Sequence, residues 1–206
     1  ESLPMLRSVA STYQGVGTSD NAQFVYRFWE IASVIPGEWR WTQTAAANSS
    51  YVGGSSSILH WEHGEGRYLK HAQALKAEGR LGGWKSGGEA WGKTGFIINV
   101  TKFPHVNRYL GDLFDTTVAA MVVSEEHEAA VYAYLTSPEY LEQLRQIDQA
   151  LSITEHTLVK VPFDLNYWQQ VASERYPNGL PKPYSDDPTQ WLFHGHPKPS
   201  SNPLQV

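Results

Sequence analysis

Thr117-Val118-Ala119-Ala120-Met121-Val122-Val123-Ser124-Glu125-Glu126-His127-Glu128 is the stretch on which the fold class turns. Residues 117–123 are an unbroken run of β-branched and small apolar side chains and read as a strand. At Ser124 the character changes, because a hydroxyl residue followed by Glu125, Glu126 and Glu128 supplies a helix N-cap with acids in the first turn. Ala129, Tyr132, Ala133 and Leu135 then form an apolar stripe, so the helix runs to about Leu135. Ser137-Pro138-Glu139 starts a second helix through Ile147, with Tyr140, Leu141, Leu144 and Ile147 inward. Beyond it, residues 157–161 read as a strand and residues 165–175 as a third helix.

Upstream of Ser124, strands and loops dominate. Residues 95–100 and 105–110 are strand-prone, and residues 24–31 alternate bulky groups at period two and also read as a strand. Residues 37–66 are rich in Ser, Gly, Ala and Asn and read as loop, with only Ile58-Leu59-His60-Trp61 as a short strand. Residues 68–79 have helical spacing, with Leu69, Ala72 and Leu75 on one side and Gly79, Gly82 and Gly83 to end the helix. No internal repeat is present. A strand-rich N-terminal two thirds with long loops, then a helical C-terminal third with one returning strand, predicts an α+β class and not a doubly wound sheet.

A chain of 206 residues can bury a sizeable core as one domain, expected over residues 1–196 with a Pro- and Ser-rich tail at 197–206. There is no cysteine, so a reducing cytoplasm is the simplest compartment. No apolar run approaches the ~20 residues of a membrane span, and no basic stretch leads into an apolar core at the N-terminus, so no membrane partner is expected. The start at Glu1 and the tail together read as a piece of a longer polypeptide.

The formal net charge of -5 argues against gripping nucleic acid by bulk electrostatics. Between Arg67 and Arg108, however, Lys70, Lys76, Arg80, Lys85, Lys93 and Lys102 face only Glu78 and Glu89. Acids gather elsewhere, at residues 112–115, at Glu125, Glu126 and Glu128, and at Asp186 and Asp187.

Enzyme signatures are sparse. His60-Trp61-Glu62-His63 and His194-Gly195-His196 bring imidazoles close in sequence, but neither fits a zinc-protease helix and no third ligand is evident, so no metal site is expected. Neither a Gly-x-Ser-x-Gly elbow nor a phosphate loop is present, and Gly82-Gly83-Trp84-Lys85-Ser86-Gly87-Gly88 resembles the latter only in composition. No catalytic residue is assigned. The aromatic inventory is more informative: Trp29, Trp39, Trp41, Trp61, Trp84 and Trp91 interleave with Arg40, Lys85 and Lys93, a pattern suited to stacking on bases or wedging between them.

Gly15-Val16-Gly17-Thr18-Ser19-Asp20-Asn21-Ala22-Gln23-Phe24 reads as a recognition loop, with two glycines for bending and Thr18, Ser19 and Asn21 as donors and acceptors. It is similar to the Gly-x-x-Thr-Gly-Asp-Asn-x-x-Phe signature found after the catalytic region of long adenine-specific DNA methyltransferases, with Ser19 where glycine is usual. These enzymes occur in bacterial restriction-modification and phage-defence systems of the BREX and DISARM kinds. Glu89-Ala90-Trp91, the strand-prone 95–99, Leu158-Val159-Lys160-Val161-Pro162-Phe163 and the block from Pro183 to Pro197 look like later landmarks of the same region.

The resemblance implies a target recognition domain, which reads DNA sequence while a separate domain flips and methylates adenine. It implies double-stranded DNA and the catalytic domain of the same polypeptide as partners, with no cofactor in this segment and AdoMet in the parent enzyme. The chain has no Asn-Pro-Pro-Tyr-like tetrapeptide; Asn202-Pro203-Leu204-Gln205 lacks the second proline and the ring. On this reading Thr18, Ser19 and Asn21 hydrogen-bond base edges or phosphate, Arg40, Trp41, Trp84, Trp91 and Thr94 face DNA, and Lys85 and Lys93 contact phosphate. Two rival readings are a protein-interaction module docking a defence-system partner, consistent with the acidic balance, and a small hydrolase using His194 or His196.

Overall fold

Among the described residues, two four-stranded sheets and a helical layer share the apolar side chains. The computed structural model describes residues 3–49, 51–80, 86–101 and 103–181. Along the chain these fold as β1 (Ala10–Gln14), α1 (Asn21–Phe24), β2 (Val25–Arg27), β3 (Trp39–Gln43), β4 (Ser57–His60) and α2 (Arg67–Ala77). Then come β5 (Gly95–Asn99), β6 (Val106–Tyr109), β7 (Leu113–Phe114), β8 (Val118–Val123), α3 (Glu125–Leu135), α4 (Pro138–Ile147) and α5 (Leu165–Arg175). The fold is α+β, as the sequence predicts.

The first sheet runs β1-β8-β5-β6 and is antiparallel at every pair. Its two central strands, β5 and β8, are covered on both faces, which is why they read as continuous apolar runs without alternation. Phe96, Ile98, Ala119, Met121 and Val123 join Val131, Tyr134, Leu144 and Trp168 in the main core under the helices. Ile97, Tyr109, Val118 and Ala120 form a smaller core with Phe114.

α3 is buried on every side from Ala130 to Leu135, as befits a helix held between the sheet and both α4 and α5. Ser124 has the extended backbone of an N-cap, but its hydroxyl pairs with His127 Nδ1 at 2.7 Å and caps no backbone group. α4 and α5 are capped as such helices require: Ser137 Oγ accepts from Tyr140 N at 3.2 Å and Asp164 Oδ1 from Tyr167 N at 3.1 Å. Each cap contributes about 1 kcal/mol. Along α4, Tyr140 and Leu144 are buried, whereas Ile147 is exposed and not inward.

Three local expectations are corrected. No strand forms at 157–161; that stretch is a 3-10 turn at Glu155–Thr157 followed by chain whose Val159 and Val161 carbonyls accept from Arg7 N at 3.0 Å and Leu6 N at 2.9 Å. Its apolar character comes from burial: Tyr140 Oη donates to Leu158 O and Tyr134 Oη to Pro162 O, so side chains take the carbonyls that a ladder would use. Residues 24–31 are split, with Phe24 ending α1, β2 covering three residues and a 3-10 turn at Phe28–Glu30, where Glu30 Oε2 accepts from Arg27 N at 2.6 Å. Residues 37–66, read as mostly loop, contain β3 as well as β4.

The second sheet runs β2-β4-β3-β7, with β3 and β7 parallel and the other pairs antiparallel. Below it lie Phe24, Leu59, Trp61, Tyr68 and Leu113, which join α1, β4, α2 and β7 into a third cluster. The chain passes from β7 to β8 through Asp115-Thr116-Thr117, so this turn belongs to both sheets. Buried amides stitch the sheets together: Gln43 Nε2 donates to Arg108 O at 2.9 Å, and its Oε1 accepts from Leu110 N at 3.1 Å.

Candidate nucleic-acid interface

In the opening loop, each signature residue has a folding task. Gly15 lies against the β7–β8 turn, where an added Cβ would stand 2.2 Å from Asp115 O and 2.4 Å from Phe114 O. Val16 N donates to Phe114 O at 2.7 Å, which locks the loop to that turn. Thr18 is 4% exposed; its hydroxyl donates to Asn21 Oδ1 and accepts from Asp20 N at 3.3 Å. Ser19 takes the left-handed backbone at φ 57°, a conformation that the glycine of the resembling signature adopts at little cost. Asp20 caps α1 by accepting from Gln23 N at 3.2 Å. Phe24 is buried against Tyr68 and His71.

What remains for an outside partner is therefore narrower than the composition of the loop. Thr18 is spent inside the turn. Ser19 and Asn21 are exposed, and the Asn21 amide nitrogen donates no hydrogen bond among the described residues. Both line a hollow of about 470 Å³ whose other wall is Asp115, Thr116 and Thr117. An adjoining hollow of about 460 Å³ shares Asn21, Asp115 and Thr117 and adds Tyr26, Arg27, Thr44 and Ser57. Arg27 Nη1 donates to Ser56 Oγ at 2.7 Å and Ser57 Oγ at 3.1 Å, which hold its guanidinium at the rim.

Asp115 and Arg27 were absent from the residues picked out by sequence. Asp115 Oδ1 accepts from Thr117 N at 2.9 Å and from the Thr117 hydroxyl at 2.5 Å, while Oδ2 accepts nothing among the described residues. Burial pushes the Asp115 carboxyl above the ordinary carboxylate range, and the Thr117 hydrogen bonds only partly offset it. Its signal in the sequence was no more than its place among the acids gathered at residues 112–115.

Arg40 and Trp91 come together against the Phe24–Tyr68 cluster, which Trp61 joins. The Arg40 guanidinium lies 4.7 Å from the Trp91 ring centre and 5.7 Å from that of Trp61, and the two rings meet edge to face at 5.7 Å. Burial lowers the Arg40 pKa and Asp112 opposes that shift; the group stays charged. Trp91 Nε1 is buried and has no hydrogen-bond partner among the described residues. Lys93 is exposed beside this stack.

The remaining expected contacts are dispersed. Trp41 is on the opposite face of β3 from Arg40, with its ring 5.6 Å from Phe28. Tyr26, Trp39 and His60 clad the same outer face, where Trp39 stacks on His60 at 4.3 Å, and Trp29 at the adjoining turn is 64% exposed. Thr94 points to the helical layer, where its hydroxyl donates to Glu128 Oε1 at 2.9 Å. Trp84 and Lys85 lie outside the described residues, as do the block from Pro183 to Pro197, with His194 and His196, and the tail.

His60 does not turn toward His63 as a metal ligand would. Its Nε2 is 3.4 Å from Glu38 and its Nδ1 2.7 Å from Arg67. Among the described residues, no group of three or more potential metal ligands converges, and no helix is long and apolar enough to cross a membrane. No protein-family model matches the chain, and no curated protein matches it.

Proposed function

We propose that this chain is the DNA sequence-recognition module of an N6-adenine DNA methyltransferase in a bacterial restriction-modification or phage-defence system, itself non-catalytic. AdoMet and the methyl-transfer step belong to a catalytic domain elsewhere in the same cytoplasmic polypeptide. The observation that carries the reading is the opening loop. Its signature residues hold the backbone, and that backbone leaves Ser19 and Asn21 exposed at a hollow rimmed by Arg27. Amide, hydroxyl and guanidinium groups are the side-chain types that read base edges and position phosphates. The Arg40–Trp91 stack and the exposed Lys93 add cationic and aromatic groups to the chain.

Titration of a duplex library with the protein at several salt concentrations tests this. With two or three phosphates neutralised, log K falls against log salt with a slope of roughly -2 to -3. Selection and sequencing of the bound duplexes then yields a defined motif. The rival reading, docking of a defence-system protein, draws on the net charge of -5. It predicts no enriched motif and no salt-dependent duplex binding.

A further inference from the structure

Asp115 lines both hollows, together with Asn21 of the opening loop. One oxygen is fully used by the turn, which accounts for the presence of an acceptor at this position but not for a second one. An asparagine or a serine would cap Thr117 N equally well without a desolvated charge. Among the described residues no lysine, arginine or histidine forms an ion pair with Asp115; Arg27, the cation that lines the second hollow with it, is bound to Ser56 and Ser57. A partly desolvated carboxylate with one free acceptor and an open hollow before it lacks a hydrogen-bond donor.

Resting on the recognition reading above, we propose that Asp115 is a specificity-determining residue that accepts a hydrogen bond from the exocyclic amine of a base, cytosine N4 or adenine N6. A carboxylate repels phosphate, so within a DNA-facing hollow it is placed against a base edge and not the backbone. Acidic side chains pair with amine-bearing edges, and guanine O6 and thymine O4, being acceptors, are rejected. Asn21, whose amide nitrogen is free on the facing wall, would take an acceptor atom of the same or the neighbouring base.

The test is selection of bound duplexes from a random library with the intact polypeptide, its Asp115→Asn variant and its Asp115→Glu variant. Asp115→Asn keeps Oδ1 as acceptor for Thr117 N, removes the charge and replaces Oδ2 by a donor. At one motif position the wild type is expected to prefer cytosine or adenine by roughly tenfold, within what one good base contact supplies. Asp115→Asn should move that position to guanine or thymine and leave the others unchanged, while Asp115→Glu should retain the amine-bearing base with a weaker preference. An unchanged motif in Asp115→Asn overturns the proposal and leaves the recognition reading standing. So does uniform loss of preference at all positions in both variants, which marks Asp115 as a folding residue, with melting temperatures recorded alongside. A wild type that enriches no motif removes the recognition reading and this proposal with it.

Discussion

Replacing Glu128 by Leu tests the buried charge pair onto which Thr94 is bonded. Arg108 Nη1 and Glu128 Oε2 are 2.7 Å apart with side chains only 12% and 10% exposed, and the contact is a charge pair without hydrogen-bond alignment. Thr94 Oγ1 donates to the other carboxylate oxygen, and the guanidinium lies 5.7 Å from the Phe96 ring centre. Removing one partner of such a buried pair costs about 3–5 kcal/mol, because the other charge is left desolvated and alone. At about 2–4 °C per kcal/mol for a chain of this size, Glu128→Leu should lower the melting temperature by roughly 6–20 °C. Arg108→Met combined with Glu128→Leu should cost far less than the sum of the single changes, since an apolar replacement of both leaves no stranded charge. Thr94→Val removes one hydrogen bond and should cost about 1 kcal/mol, with duplex affinity unchanged within about twofold. Thermal melts and guanidinium unfolding, followed by tryptophan fluorescence, measure these three variants and Arg108→Met alone. Additive single effects, or a Glu128→Leu loss under about 1 kcal/mol, would refute the buried-pair argument; a tenfold affinity loss in Thr94→Val without a stability change would return Thr94 to the DNA surface.

Three further outcomes follow from the loop and its turn. Gly15→Ala places a methyl on two backbone carbonyls that cannot yield, and should destabilise the fold by about 3 kcal/mol, read by the same unfolding curves. Ser19→Gly should stabilise by about 0.5 kcal/mol, since relief of a left-handed side chain (about 1–2 kcal/mol) exceeds the extra unfolded-state entropy of glycine (about 0.4–1 kcal/mol); a loss of stability would mean that the hydroxyl is structurally engaged. Because burial raises the folded-state pKa of Asp115, the folded protein holds that proton more tightly than the unfolded chain. Its contribution is then fully present below the unfolded value near 4 and is lost as pH rises through the raised folded value. Asp115→Asn should therefore flatten this part of the stability profile and gain on the wild type toward pH 7, as thermal melts across pH 4–7 would record.

The helices were the most legible part of the chain, because their signals are local. Ser137 with Pro138 and the spacing of Tyr140 and Leu144 specify α4 without reference to any other segment. β5 and β8 were legible as long apolar runs. β3 was not: Trp39 to Gln43 forms a strand because Ser57–His60 and Leu113–Phe114 flank it, and those partners are distant in sequence. Residues 157–161 failed in the opposite sense, since Leu158, Val159 and Val161 are apolar to fill the core beneath α3 and α4 and not to extend a sheet. At the site, Thr18, Ser19 and Asn21 could be picked out by residue type, but type alone does not tell an inward hydroxyl from an outward one. Asp115 came to the hollow only through the parallel bridge that sets Val16 beside it.

The turn that joins the two sheets separates side chains that hold the chain path from side chains that do not. Gly15, Thr18, Asp20 and Phe24 are tied to backbone and core, so substitution there disturbs the chain path. The side chains of Ser19 and Thr116 are exposed above that path, and among the described residues Asn21 and Asp115 each keep one polar atom free of it. Inheritance of the framework is thereby separable from variation of the surface. Under the recognition function proposed above, a lineage carrying this loop can exchange the outward side chains one at a time and so alter the partner selected while the protein continues to fold.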